Sequence, residues 1–186
     1  MLAVGGLAIA AGALGWLLFV AMPRWYGPTE RAVAAAPPPA TPAVPGRKIK
    51  ARLYYVSEDG TALTALERDV PFAENAAEQA REIVAAQMAP VAEPLVSAVP
   101  PGAVVRSVFI SANGEAYVDI SHEIVSAHTG GTLDEILTVY ALVNALTSNL
   151  PAVASVQLLV DGKEVATLAG HVDLRRPLAK NLAWVQ

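Results

Sequence analysis

The sequence has no cysteine, and that absence excludes several kinds of site at once. Without thiols there is no disulfide framework, no thiolate metal site and no cysteine nucleophile. Anchoring through a lipidated N-terminal cysteine is excluded on the same ground. The compartment stays open, because a chain without thiols tolerates either redox environment.

Basic residues are outnumbered by acidic ones after the first 46 residues, where 11 Lys and Arg stand against 16 Asp and Glu. Nucleic acids are recognised largely through Lys and Arg contacts to phosphate, so the sequence predicts no nucleic-acid partner. Direct binding of this region to an anionic membrane surface is disfavoured for the same reason.

Charged and strongly polar residues are absent from Leu2 to Met22. As a helix this stretch would span about 30 Å, the hydrocarbon thickness of a bilayer. Arg24, Trp25 and Tyr26 follow it, as interfacial anchors do. We therefore predict one transmembrane helix over residues 1–22.

A retained anchor is favoured over a cleaved signal peptide, because the apolar stretch is long and no basic segment precedes it. The orientation is not fixed by charge. The positive-inside rule would put Arg24 and Arg31 in the cytoplasm, and only the amino terminus lies on the other side.

Residues 23–46 are rich in proline and alanine. Proline fixes φ and removes backbone donors, so this stretch is predicted to be an extended, semi-rigid linker. A domain is predicted to follow over residues 47–186. Its first residues, from Ile49 to Val56, have the β-branched and aromatic composition of a strand.

Three pairs of turn residues divide this domain: Asp59-Gly60, Asn113-Gly114 and Asp161-Gly162. Each predicts a hairpin, because a type I′ turn requires positive φ at both central positions. The flanking residues are β-branched or aromatic, as strands prefer.

Two helices are predicted between the hairpins. Asn75 and Glu78 form a variant capping box before the first helix, and Thr132 and Glu135 form a cleaner one before the second. The order β-β-α-β-β-α-β-β predicts an α/β (α+β) domain, with two helices packed on a largely antiparallel sheet built from hairpins.

Several short motifs in this domain share their order and spacing with one known family. They are Leu53-Tyr54-Tyr55-Val56, Glu67–Pro71, Pro101-Gly102, Val118-Asp119-Ile120-Ser121, Asn144-Ala145-Leu146-Thr147, Val156–Lys163 and Gly170-His171-Val172-Asp173. Together they resemble the GerMN domain of spore-germination and sporulation proteins. One position departs from the family's usual N-T-L-T helix ending, because Ala145 stands where the family has threonine.

The resemblance implies a non-catalytic module of the cell envelope, outside the cytoplasm and behind an N-terminal anchor. We also expect no cofactor and no metal. Many members of this family occur in bacteria that form no spores, so the resemblance does not by itself imply sporulation.

His122-Glu123 looks like the start of a zinc-binding H-E-x-x-H motif, but Ser126 stands where the second histidine is needed. His128 is six residues from His122 and would lie on another helical face. We therefore expect surface or capping residues and no metal site.

Ser121 with His122 as its base would be a nucleophile pair, but adjacent side chains on a strand point to opposite faces. Ser121 or Asp119 is instead predicted to cap a short helix over residues 123–127. Gly130 and Gly131 precede the second helix, and are expected to form a turn and not a phosphate site.

His171 and Asp173 form the most distinctive polar cluster. On an extended chain they lie on one face, and we predict that they pair as a clasp that locks the C-terminal segment against the sheet. Acid/base work by the same pair is the alternative interpretation.

We therefore expect no enzyme and no catalytic residue. The prediction is a single-pass protein of the cytoplasmic membrane whose extracytoplasmic domain binds envelope proteins or copies of itself. The alternatives are a peptidoglycan-related envelope enzyme or its accessory, with His171, Asp173 and Asp119 as its site, or a glycan or small-molecule sensor with an aromatic-lined pocket.

Overall fold

The computed structural model describes residues 46–186. The predicted transmembrane helix, residues 1–22, and nearly all of the predicted linker, residues 23–46, lie outside the described residues. Within residues 46–186 no helix has both the length and the apolar character needed to cross a membrane.

Seven strands and three helices make up the described chain. The strands are β1 (Lys48–Val56), β2 (Leu63–Pro71), β3 (Val105–Ile110), β4 (Glu115–Ile120), β5 (Ser155–Val160), β6 (Lys163–Glu164) and β7 (Leu178–Ala179). The helices are α1 (Ala76–Met88), α2 (Glu123–Ser126) and α3 (Thr132–Asn149). The predicted α+β class is confirmed.

The strands form two sheets, and the expectation of a single sheet is wrong. β1 and β2 make an antiparallel hairpin. The second sheet has the order β3-β4-β5-β6, and β7 also pairs with β5. β4 and β5 run parallel, because α2 and α3 form a crossover between them. All other pairs of neighbouring strands are antiparallel, as expected.

Side-chain amides close the outer edge of β1. The backbone of Arg52 bonds the Asn149 carboxamide twice, at 2.8 and 2.7 Å. Tyr54 is held in the same two-way manner by Gln87 of α1, at 2.8 and 2.6 Å. A bridge to Val96 completes this edge at the end of β1. Because these backbone groups are already bonded, another strand cannot pair here, and the two sheets stay separate.

Both predicted helices exist, but only the first is capped as expected. The side chain of Asn75 accepts hydrogen bonds from the backbone N–H groups of Ala77 and Glu78. At the second helix the capping box is wrong. Gly131 occupies the N-cap position of α3 with no side-chain bond, and the Glu135 carboxylate points elsewhere.

The hydrophobic core surrounds α3, which packs against β1, α1 and β5. Its apolar residues recur every three or four positions, and Leu137, Leu142 and Leu146 are fully buried. Tyr54 and Tyr55 of β1 are buried as well. The core therefore fixes α3, and α3 carries the polar residues described below.

The three turns differ in geometry although their sequences are alike. Only Asp161-Gly162 has positive φ at both positions, 49° and 74°, as a type I′ turn requires. The first two turns have positive φ at the glycine alone. The third hairpin is also shorter than expected, because β6 contains two residues.

The closed edge of β1 leads to a stability prediction. Replacing Gln87 by Leu leaves the buried N–H and C=O of Tyr54 without partners, and should lower the free energy of unfolding by about 2–4 kcal/mol. Asn149→Ala breaks equivalent bonds near solvent, so it should cost about 1 kcal/mol. Urea denaturation followed by circular dichroism measures both values. Equal losses would contradict the role given to burial.

Candidate functional site

His171 and Asp173 do not pair with each other, so the predicted clasp between them is wrong. The Asp173 carboxylate binds the exposed Arg175 guanidinium through two bonds of 2.8 Å. This interaction lowers the pKa of Asp173 to about 2. His171 turns the other way, and its Nδ1 lies 3.2 Å from an oxygen of Glu135.

Glu135 is the most unusual polar residue of the domain, because its side chain is completely buried. One carboxylate oxygen accepts from Leu168 N–H at 2.7 Å, and the other accepts from His171 N–H at 2.7 Å. Burial pushes the pKa of Glu135 up, but the backbone N–H groups of Leu168, Ala169, His171 and Val172 outweigh burial, so the pKa lies below its usual value. Glu135 is therefore a buried anion.

Residues 165–186, which we call the C-terminal segment, are held at two further points. Asn144 of α3 bonds the backbone of Asn181 twice, at 2.7 and 3.0 Å. The buried Gln157 of β5 donates to the Leu174 carbonyl at 2.6 Å. Side chains of α3 and β5 thus hold the C-terminal segment in place of the predicted His171–Asp173 pair.

Asp119 and Ser121 do not cap α2 through their side chains. Asp119 accepts from the Gly162 N–H at 2.6 Å and forms an ion pair with Arg106 at 3.2 Å. Ser121 Oγ accepts from Val104 N–H at 3.1 Å. Both residues therefore hold loops beside the second sheet. α2 itself spans almost the predicted residues.

The two histidines of the incomplete zinc motif, His122 and His128, make different contacts. His122 precedes α2 and makes no capping bond with its side chain. His128 Nδ1 accepts from Gly130 N–H at 2.9 Å, and its Nε2 lies 3.3 Å from Thr138 Oγ1. In residues 46–186 no three His, Asp or Glu side chains gather as a metal site would require.

The glycine pair before α3 has an irregular backbone and does not form the predicted turn. Gly130 and Gly131 have φ values of 85° and 92°, which residues other than glycine rarely adopt. Asp134 in the first turn of α3 accepts from Thr129 Oγ1 at 3.1 Å. An acidic side chain therefore lies at the positive end of this helix.

One cleft of the described chain has a volume of roughly 270 Å³. Residues 96–101 form one wall, and His128, Leu137 and Thr138 contribute to the other. No aromatic residue lines it, and neither Asp119, His171 nor Asp173 reaches it. The three residues of the alternative enzyme site are thus not brought together in this cleft.

Glu135 was missed as a buried anion because its spacing from Thr132 matches a capping box. A second signal points the other way. Glu135 shares one helical stripe with Val139, Leu142 and Leu146, all of which are buried. A charged residue on an apolar stripe needs a buried partner, and the C-terminal segment provides it.

The buried carboxylate leads to a prediction about pH. Glu135→Gln replaces one acceptor oxygen by a donor that faces backbone N–H groups, and should lower the free energy of unfolding by about 2–4 kcal/mol at neutral pH. In the native chain the contribution of Glu135 is complete above the unfolded-state pKa of about 4.3. It is lost as the pH falls through the lower native pKa.

Denaturation curves between acid and neutral pH measure this effect. The variant should lack the part of the acid destabilisation that Glu135 causes. Glu74→Gln changes an exposed carboxylate and serves as the matched control, with an expected change within about 0.5 kcal/mol. A Glu135→Gln curve parallel to that of the native chain would contradict the assignment.

Comparison with known proteins relates the chain to one family and to several solved structures. The Germane family, described as "Sporulation and spore germination", matches residues 52–166. No curated protein sequence matches the chain. Among solved structures, the chain is similar to the tandem GerMN domains of the sporulation protein GerM from Bacillus subtilis, with 20% identity and a TM-score of 0.53. That alignment covers 73% of this chain and 46% of that one.

A second similar structure is a candidate lipoprotein from Clostridium perfringens, with 19% identity and a TM-score of 0.51. It covers 72% of this chain and 88% of the other. At these identities the structures show a shared fold. The chain spans a little under half of the tandem GerMN structure. Because the family match extends over more than half of the sequence, the chain belongs to the Germane family of sporulation and spore-germination domains.

Proposed function

We propose that this protein is a non-catalytic, membrane-anchored component of the cell envelope, and that its GerMN domain binds other proteins. The apolar stretch from Leu2 to Met22 anchors the chain in the cytoplasmic membrane. The proline-rich linker sets the distance at which the domain lies, on the outer side of that membrane.

The hydrogen bonds of Glu135 are the main support for this proposal. A buried carboxylate in a domain is a first candidate for catalysis, but both oxygens of this one accept from the protein's own backbone. Asp119 likewise accepts from a backbone N–H, and Gln157 donates to a backbone carbonyl. Among residues 46–186 no buried side-chain nitrogen or oxygen lacks a hydrogen-bond partner. Polar groups committed to the fold are not available for chemistry.

The family supports the placement in the envelope. One similar structure is that of a sporulation protein and another is that of a candidate lipoprotein, and a lipoprotein is held at a membrane surface. A similar domain behind an apolar N-terminal stretch fits the same position. The family does not require a role in sporulation for this chain.

Labelling of a single cysteine tests the placement, because the native chain has none. Glu164 lies exposed in the short β6 strand, so Glu164→Cys should react with a membrane-impermeant maleimide in spheroplasts. Equal labelling in lysed cells provides the control. Reaction only after lysis would place the domain in the cytoplasm and contradict the proposal.

Cross-linking in intact cells tests the binding role. The full chain should be recovered with envelope proteins or with copies of itself. A variant lacking residues 1–22 should lose these partners, since it no longer reaches the membrane. Recovery of cytoplasmic partners alone from the full chain would be the contrary result.

A further inference from the structure

The outer edge of β3 is an open strand edge. β3 pairs with β4 alone, and Phe109 lies opposite Tyr117. The Ser111 N–H bonds the Glu115 carbonyl, so the backbone groups of odd-numbered residues in this stretch face β4. Those of Val108 and Ile110 therefore face outward. No residue of the described chain pairs with them.

The residues of this edge lack the usual sequence features that prevent pairing. Residues 107–111 read Ser-Val-Phe-Ile-Ser, with no charge and no proline. Edge strands are normally blunted by lysine, proline or a covering element. The nearest charge, Arg106, is turned toward Asp119 and Asp161 in two ion pairs. Phe109 is 64% exposed, more than any other large apolar residue of the described chain.

A second copy of the chain fits this edge in one antiparallel register. Centring the two-fold axis on Phe109 places this ring opposite Phe109 of the second copy. Val108 then lies opposite Ile110 of the second copy, and the two pairs exchange four backbone hydrogen bonds. Ser107 faces Ser111, so no charge opposes a like charge.

Another open edge, on β2, is unsuited to self-pairing in registers centred on residues 66–68. Two-fold registers centred on Glu67 or Arg68 place like charges opposite each other, which is unfavourable. A register centred on Leu66 brings Asp69 of the second copy against Leu63. That position is already taken, because Leu63 pairs with Val185 of the C-terminal segment.

We propose that two copies of this protein associate through β3, in an antiparallel register centred on Phe109. This inference rests on the proposed function, in which the domain binds proteins at a membrane. It names the partner as a second copy and the surface as the β3 edge. Anchoring in one membrane raises the local concentration of copies, so a short interface is sufficient.

Disulfide trapping tests the proposal in the full, membrane-bound chain. Phe109→Cys places two thiols at a non-hydrogen-bonded pair, where Cβ atoms lie about 4.5–5.5 Å apart. Oxidation should therefore convert most of this variant to a covalent dimer on non-reducing gels. Leu66→Cys, on the β2 edge and 39% exposed, is the matched control and should remain monomeric.

The register has its own test. Ser107→Cys and Ser111→Cys should each remain monomeric alone, because equivalent residues are separated across the axis. Coexpressed, the two variants should form a mixed dimer. A monomeric Phe109→Cys variant, or its capture by a different protein, would overturn the inference. External labelling of Glu164→Cys would still hold in that case, so failure of the dimer and failure of the envelope placement are distinguishable.

Discussion

A buried carboxylate bonded to backbone amides is the interaction on which this fold depends. Glu135 lies on the central helix α3, and the C-terminal segment folds over its two oxygens. An ionised carboxylate in the core would be very costly without such donors. The segment in turn has only two buried apolar side chains, Leu168 and Leu174, and its other core contacts come from partly buried residues. Each part therefore requires the other.

The same principle recurs wherever an edge of the fold must be closed. Gln87 and Asn149 bond the outer side of β1 as a neighbouring strand would. Gln157 and Asn144 do the same for the C-terminal segment. Carboxamides suit this role because one group donates and accepts at once. Against this background the open edges of β2 and β3 are exceptions, and a second copy fits the edge of β3.

Much of the fold follows from local sequence, whereas the site depends on distant contacts. Turn residues such as Asp161-Gly162, and the cap at Asn75, act within a few positions and are readable in the sequence. The division into two sheets is not, because Gln87 lies 33 positions from its partner Tyr54. The burial of Glu135 could not be predicted for the same reason, since a capping box and a buried anion have the same local spacing.

Hydrogen exchange at the amides of Leu168 and His171 tests the central claim most directly. If their N–H groups are bonded to a buried Glu135 carboxylate, both amides should be strongly protected in the native chain near neutral pH. The Glu135→Gln variant keeps only one acceptor oxygen, so protection should fall sharply at one or both of these amides while amides of β4 stay protected. Exchange at the rate of an exposed loop in the native chain would contradict the account.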